Sequence, residues 1–469
     1  MPVSRVTDEV SMDFARLTMT PYFKTALVLL IACSQLAEGF LIAGDACSFD
    51  NKCTCSINRI DCSYRYLTAV SDFSSYHKQA DYIGLNFNFI TSVPANAFVT
   101  LFSASSRRIL IRLDNNRINS VDVDAFKGLP TNVSVDIYLN NNNLQTIPSA
   151  LEKIGGLSSL YVQNNPLTNI DVLSIVGPSL SVFSVSLSKF RSWPTKLQNL
   201  TRVVHLTLDQ IPFKNIDSNA LKSVDSLTSL TISNSKLEQV PDAICLMKDM
   251  QLFYFNGNKN LNQTKQLLVP CSGYALNYVS FVDLSDNDLV TFPNVFDVFP
   301  SVKRLQLIDN DIHYIDADML PHSTMVERLY MAGNRLKRIP GEITKLSGLR
   351  QLYLSHNDIS TIEKCDMAGL RFLELLDLNN NPIEYVSKSA LKDAHILNRV
   401  ELGGTNLRTI PEAFSSLAKI SYLNVTGSPI ECDCSLKSLR SVLPLDVQGT
   451  CASSSQTIND FIASSLSVC

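Results

Sequence analysis

The chain has 469 residues, 45% hydrophobic and 18% charged, which is ordinary globular composition and ample for a large core. Its formal net charge is −4, and −3 without residues 1–39, so there is no basic field to hold a nucleic acid. The 6 histidines make no H-E-x-x-H and sit in no nucleophile motif, so neither an enzyme nor a metal or cofactor site is expected.

At the N-terminus, Thr25 to Ser34 is a short uncharged apolar run preceded by Lys24. Ala37-Glu38-Gly39 then offers small residues for a peptidase, so residues 1–39 read as a long signal peptide, with Met12 or Met19 as other possible starts. The competing reading is an uncleaved signal anchor that holds the protein at the cell surface. Either places the rest of the chain outside the cell. No later segment is expected to span a membrane. The uncharged stretch Val172 to Ser188 contains Pro178 and keeps the register of the leucine-rich pattern that runs through residues 80–428.

Residues 40–79 carry Cys47, Cys53, Cys55 and Cys62 as C-x5-C-x-C-x6-C. Four close cysteines allow three disulfide pairings or a zinc site. An oxidising compartment favours disulfides, and a small stapled unit would cover the bare apolar end of the first repeat.

From residue 80 to 428 a pattern recurs. Its clearest copy, Leu349 to Ile362, is L-x-x-L-x-L-x-x-N-x-I-x-x-I, a leucine-rich-repeat signature. Alternation predicts a strand with Leu352 and Leu354 inward and Gln351, Tyr353 and Ser355 outward. The first apolar residue of each inward pair falls at Ile83, Ile111, Ile137, Leu160, Phe183, Leu206, Leu230, Phe253, Val282, Leu305, Leu329, Leu352, Leu376, Val400 and Leu423. Most steps are 23 or 24 residues, which makes about fifteen repeats. The Asn of the pattern is expected to form a buried ladder beneath the strands. Ser188, Ile211 and Ser235 interrupt it, which predicts local irregularity or softness there. Ala97-Phe98, Ala125-Phe126, Ile339-Pro340 and Ile410-Pro411 mark return segments of irregular or short-helical form. The fold class is therefore an α/β repeat solenoid, a horseshoe with a parallel concave sheet and irregular or short-helical convex returns. Cys245 and Cys271 lie on adjacent returns and are expected to bridge, whereas Cys365 is expected to be a buried thiol. Asp283, Asp286 and Asp288 loosely suggest a calcium loop, but Leu284 and Asn287 are core positions and the spacing is wrong.

Residues 429–469 follow with Cys432, Cys434, Cys451 and Cys469. The order S-P-I-E-C-D-C-S-L resembles the N-P-x-x-C-D-C-x-L opening of a known C-terminal cap. The four N-terminal cysteines likewise resemble the N-terminal cap of extracellular leucine-rich-repeat proteins of the Slit, Nogo-receptor and small leucine-rich proteoglycan type. That resemblance implies Cys47–Cys55, Cys53–Cys62, Cys432–Cys451 and Cys434–Cys469, with a short helix over Ser435 to Leu443. Since Cys469 is the last residue, a secreted protein is expected rather than a receptor.

The non-repeating outward residues carry any function. Arg304, Arg328, Tyr330, Tyr353 and Arg399 have the composition of protein-interface hot spots, and Asp377 and Glu401 add an acidic end. Tyr138 and Tyr161 form a weaker upstream pair. Sequons stand at Asn132, Asn199, Asn262 and Asn424, and a glycan on Asn424 would push binding toward residues 280–402. The expected function is a secreted glycoprotein binding an extracellular protein or glycan on its concave face, in recognition, adhesion or innate immunity. The alternatives are a non-catalytic subunit of a secreted complex, an extracellular-matrix component, or the ectodomain of a membrane receptor.

Overall fold

A computed structural model describes residues 45–76, 78–99, 101–102, 106–261, 267–268, 271, 275–321 and 323–464. The chain divides at Asp45–Ala46, and the second unit, Ala46–Cys469, is compact. The expected signal segment lies outside the described residues, and the repeats and both cysteine clusters belong to the second unit.

The strands are short because each repeat supplies only one inward apolar pair before it must turn. Every one of the fifteen first-position residues lies in a strand, from Ile83 in Ala80–Gly84 to Leu423 in Tyr422–Asn424. These strands pair in parallel and in register, so that Leu329 faces Leu352 and Leu352 faces Leu376. The cysteine-rich ends join the same sheet. Asn58–Asp61 sets Ile60 beside Ile83, and Asp446–Gln448 sets Val447 beside Leu423. Edge strands left open would invite pairing with other chains, and both ends are thus occupied by cap strands.

The core lies between the sheet and the return segments. Leu349, Leu352, Leu354, Ile359 and Ile362 are all buried, as are most of their counterparts in the other repeats, whereas Val121, Phe190, Trp193 and Phe213 are only partly buried against the same core. Five returns share one device. Pro148, Pro194, Pro241, Pro340 and Pro411 each precede a five-residue 3-10 helix that drives one large side chain inward: Leu151, Leu197, Ile244, Ile343 or Phe414. Proline pre-sets φ at the entry, where a missing N–H costs nothing. The Ala-Phe returns instead stack their rings, with Phe98 and Phe126 at 5.7 Å. Among the described residues, no helix is long and apolar enough to cross a membrane. Val172 to Ser188 instead contributes Leu173, Leu180, Phe183 and Val185 to the core.

The ladder forms where Asn is present. Asn357 Nδ2 donates to Met331 O (2.9 Å) and Leu354 O (3.0 Å), and its Oδ1 accepts from Leu336 N (3.0 Å). Thr405 and Ser428 substitute through their hydroxyls, each donating to Leu402 O at 3.0 Å. In the middle, where irregularity or softness is expected, the strand pairing itself stays regular. Strands Val182–Ser186, His205–Asp209 and Ser229–Ser233 pair over five residues each without a shift. Ser188 is exposed and takes no part in the ladder. Instead, Phe190 N turns back to Leu187 O (3.0 Å), which satisfies locally the kind of group a ladder Asn would have bonded.

A second column runs beside the ladder. The residue before the ladder Asn is left-handed in most repeats: Asn115, Asn141, Asn164, Asp286, Asp309, His356 and Asn380 have φ between 52° and 56°, and Gly257, Gly333 and Gly404 have φ of 67°. Asn, Asp and Gly tolerate this region best, so the column explains their recurrence. At Gly333 a Cβ would run into Asp309 Oδ1 of the preceding repeat.

Four disulfides are present among the described residues: Cys47–Cys55, Cys53–Cys62, Cys245–Cys271 and Cys432–Cys451. Cys434 is also disulfide-bonded, and its expected partner Cys469 lies outside the described residues. A 3-10 helix, Cys434–Val442, occupies the position expected for the cap helix. Cys365 corrects the expectation of a buried thiol. It is free and exposed, because its turn places Asp366 and Met367, not Cys365, against the core.

Candidate ligand-binding face of the sheet

The parallel register sorts the outward residues into rows. One row reads Tyr330, Tyr353, Asp377, Glu401 and Asn424 across successive strands. Its neighbour reads Arg304, Arg328, Gln351, Leu375, Arg399 and Tyr422. The structure therefore brings all seven residues expected from the sequence onto one face.

Tyr330 and Tyr353 stack with ring centroids 4.4 Å apart and planes 7° from parallel. Burial, with the Tyr330 phenol beside it, pushes Tyr353 up to about 12, so at neutral pH it keeps its proton and can donate it to a ligand. Arg304 and Arg328 face each other on adjacent strands, and neither enters an ion pair among the described residues. The Arg304 guanidinium lies 5.7 Å from the Phe281 ring centre, which holds it over an aromatic surface. Asp377 follows Tyr353 in the row. Burial raises its carboxyl above the usual range, against the N–H of Asn379 (3.0 Å) and the Ser355 hydroxyl, which lower it.

Arg399 and Glu401 are different. They bond each other at 2.8 and 2.6 Å, Arg399 covers Tyr422 at 4.0 Å, and Asn424 Nδ2 donates to the second Glu401 oxygen at 2.8 Å. Their charges are used internally, so Asp377 supplies the acidic end of the open patch. The open group is thus Arg304, Arg328, Tyr330, Tyr353 and Asp377.

Upstream, Tyr138 and Tyr161 stack at 4.3 Å. Sequence reasoning found this pair but missed its surroundings. Arg112 bonds Asp114 through two nitrogens at 3.0 Å, Arg108 pairs with Asp136, and Arg59 lies 3.7 Å over Tyr82. The signal was available in the spacing of two between Arg112 and Asp114, which puts both on one face. Asp114 and Asp136 are buried, so these pairs hold the sheet face together as much as they advertise it.

Asn132 is exposed, Asn199 and Asn424 are half-buried, and Asn262 lies outside the described residues. No group of three or more potential metal ligands occurs among the described residues.

The leucine rich repeat family model matches residues 110–167, 324–383 and 371–430. Podocan-like protein 1 of Homo sapiens is 27% identical over 313 residues, covering 63% of this chain and 54% of that protein. The volume-regulated anion channel subunit LRRC8D of Rattus norvegicus is 27% identical over 242 residues, covering 51% of this chain and 28% of that protein. The chain thus spans about half or less of the length of these relatives. A solved leucine-rich-repeat protein of Leptospira interrogans superposes with a TM-score of 0.59 at 20% identity, covering 84% of this chain and 96% of that one, a likeness of fold. Periodic strands, ladder, caps and family match agree: the chain is a leucine-rich-repeat protein with cysteine-rich caps.

Proposed function

We propose that this protein is a secreted, non-catalytic recognition protein that holds an extracellular protein ligand on the sheet face at residues 304–377. The observation that carries the reading is the stacked Tyr330–Tyr353 pair flanked by Arg304 and Arg328, whose guanidiniums are left without carboxylate partners among the described residues. Rigid aromatic area beside unspent cations is the composition of an interface hot spot. Asp377 at the far end supports a ligand that is acidic toward the arginines and basic toward the aspartate. The four disulfides support an oxidising, extracellular setting. The test is affinity capture from extracellular fluid followed by mass spectrometry, with the wild-type chain and an Arg328→Ala/Tyr330→Ala variant as baits. The reading expects a partner that the wild type retains and the folded variant loses. A partner retained equally by both would move the site elsewhere.

A further inference from the structure

Four large rings stand exposed on the turns where the N-terminal cap meets the first repeat. Tyr64 is 60% exposed, Tyr66 78%, Phe87 38% and Phe89 38%. Tyr64 stacks on Phe87 with centroids 4.3 Å apart, and Tyr66 lies 6.0 Å from Phe89. The Arg117 guanidinium sits 4.6 Å over Phe89, and Arg65 lies between the two tyrosines in sequence. Neither arginine enters an ion pair among the described residues.

The backbone adds an independent reason to look here. Phe87 occupies the left-handed column with φ of 57°, and Tyr64 and Tyr66 have φ of 59° and 57°. Elsewhere that column holds Asn, Asp, Gln, His or Gly. A bulky side chain is disfavoured in this region, and none of these rings belongs to the buried core or to the side chains packed against it. Unfavourable backbone that presents an aromatic cluster is accounted for by what the cluster touches.

We propose that Tyr64, Tyr66, Phe87 and Phe89, with Arg65 and Arg117, form a second docking surface that takes an acidic segment of a partner protein bearing one apolar anchor. The stacked rings supply a platform for the anchor. The two guanidiniums, which enter no ion pair among the described residues, supply the charge complement, with Arg117 held over Phe89. The surface lies on the turns, outside the rows that carry Tyr330 and Tyr353, and does not depend on the sheet-face reading.

The experiment uses the secreted full chain and fluorescence anisotropy with a labelled peptide whose central Phe is flanked by Glu. Comparison probes are the same peptide with Lys for Glu, a sulfated oligosaccharide and phosphatidylserine vesicles. The acidic peptide is expected to bind in a salt-sensitive manner and the Lys peptide not to bind. Arg117→Glu and Phe89→Ala are each expected to weaken binding about tenfold, while Lys222→Glu, a charge reversal elsewhere, leaves it unchanged. Phe87→Asn guards against a trivial loss of fold. Asn suits the left-handed position, so its Tm should hold or rise while binding falls. The proposal is overturned if the acidic peptide fails to bind, or if the Lys peptide binds equally. It is also overturned if the oligosaccharide or the vesicles bind in the peptide's place, or if the variants bind as the wild type does.

Discussion

Replacing Asn357 by Leu tests the ladder, because the two side chains have similar length but opposite chemistry. Four backbone groups lose a partner: Leu336 N, Met331 O, Leu354 O and, through a longer bond of 3.3 Å, Ser355 O, which keeps its stronger bond from Gly333 N (2.9 Å). The other two carbonyls are not stranded either. Met331 O still accepts from Asn334 Nδ2 (3.1 Å), and Leu354 O from Asn381 Nδ2 (2.9 Å). Leu336 N–H is left buried and unpaired, at about 2 kcal/mol, and each weakened carbonyl adds roughly 0.5 kcal/mol. The expected loss is therefore about 3 kcal/mol. Ile211 is the natural control, since it holds the same position with an apolar side chain. Its surroundings have already adapted, with Phe190 N bonded to Leu187 O at 3.0 Å. Ile211→Asn therefore brings in an amide whose oxygen finds Phe190 N already bonded to Leu187 O, and should destabilise by about 2 kcal/mol even though it restores the repeat pattern. Native-state hydrogen exchange is the suitable assay, because a long repeat array need not unfold in one step. Amides of 328–330 and 351–353 should open more easily in Asn357→Leu, and those of 182–186 and 205–209 in Ile211→Asn. A change below about 1 kcal/mol in the first variant, or protection gained in the second, would refute the reasoning.

Asp309 is pushed up to about 6 by burial and by the neighbouring Asp286, which Lys259 only partly offsets at 2.7 Å from Asp286. A carboxyl with a raised folded-state pKa penalises the fold once ionised, so the penalty is absent below the ordinary value of 3.8 and complete above about 6. Asp309→Asn should therefore stabilise by about 1 kcal/mol at pH 7.5, allowing for solvent screening, and by almost nothing at pH 4, as read by unfolding at the two pH values. Gly333→Ala should destabilise by about 2 kcal/mol, because it needs φ of 67° and drives a Cβ into Asp309 Oδ1; thermal unfolding checks it, and an unchanged Tm would contradict it. Cys245→Ser/Cys271→Ser opens a loop with a sequence separation of 26 and should cost about 3 kcal/mol, seen as faster exchange of strands Ser229–Ser233 and Leu252–Asn256.

The scaffold was legible because its rule is simple. An apolar pair every 23 or 24 residues, followed by Asn, can be satisfied only by stacked short strands. The seven chosen face residues followed from the same period, since Tyr330, Tyr353 and Asp377 must share a row once Leu329, Leu352 and Leu376 are aligned. The period says nothing of how polar side chains spend their bonds. It could not show that Arg399 and Glu401 close on each other, or that Phe190 N finds Leu187 O where Ile211 leaves the ladder open. Cys365 was misread because an irregular return has no fixed inward position. The left-handed column was visible as Asn-Asn, Asp-Asn and Gly-Asn pairs ahead of each turn, and reading it would have singled out Phe87 as the misfit.

The central claim is that ligand binds across the sheet face at the tyrosine stack. Hydrogen exchange of the chain alone and with its captured partner tests this most directly. Binding at the stack predicts added protection confined to strands Arg304–Gln306, Arg328–Tyr330, Gln351–Tyr353 and Leu375–Asp377. Protection confined instead to the proline-led return helices such as Gly341–Lys345, with these strands unchanged, would contradict it.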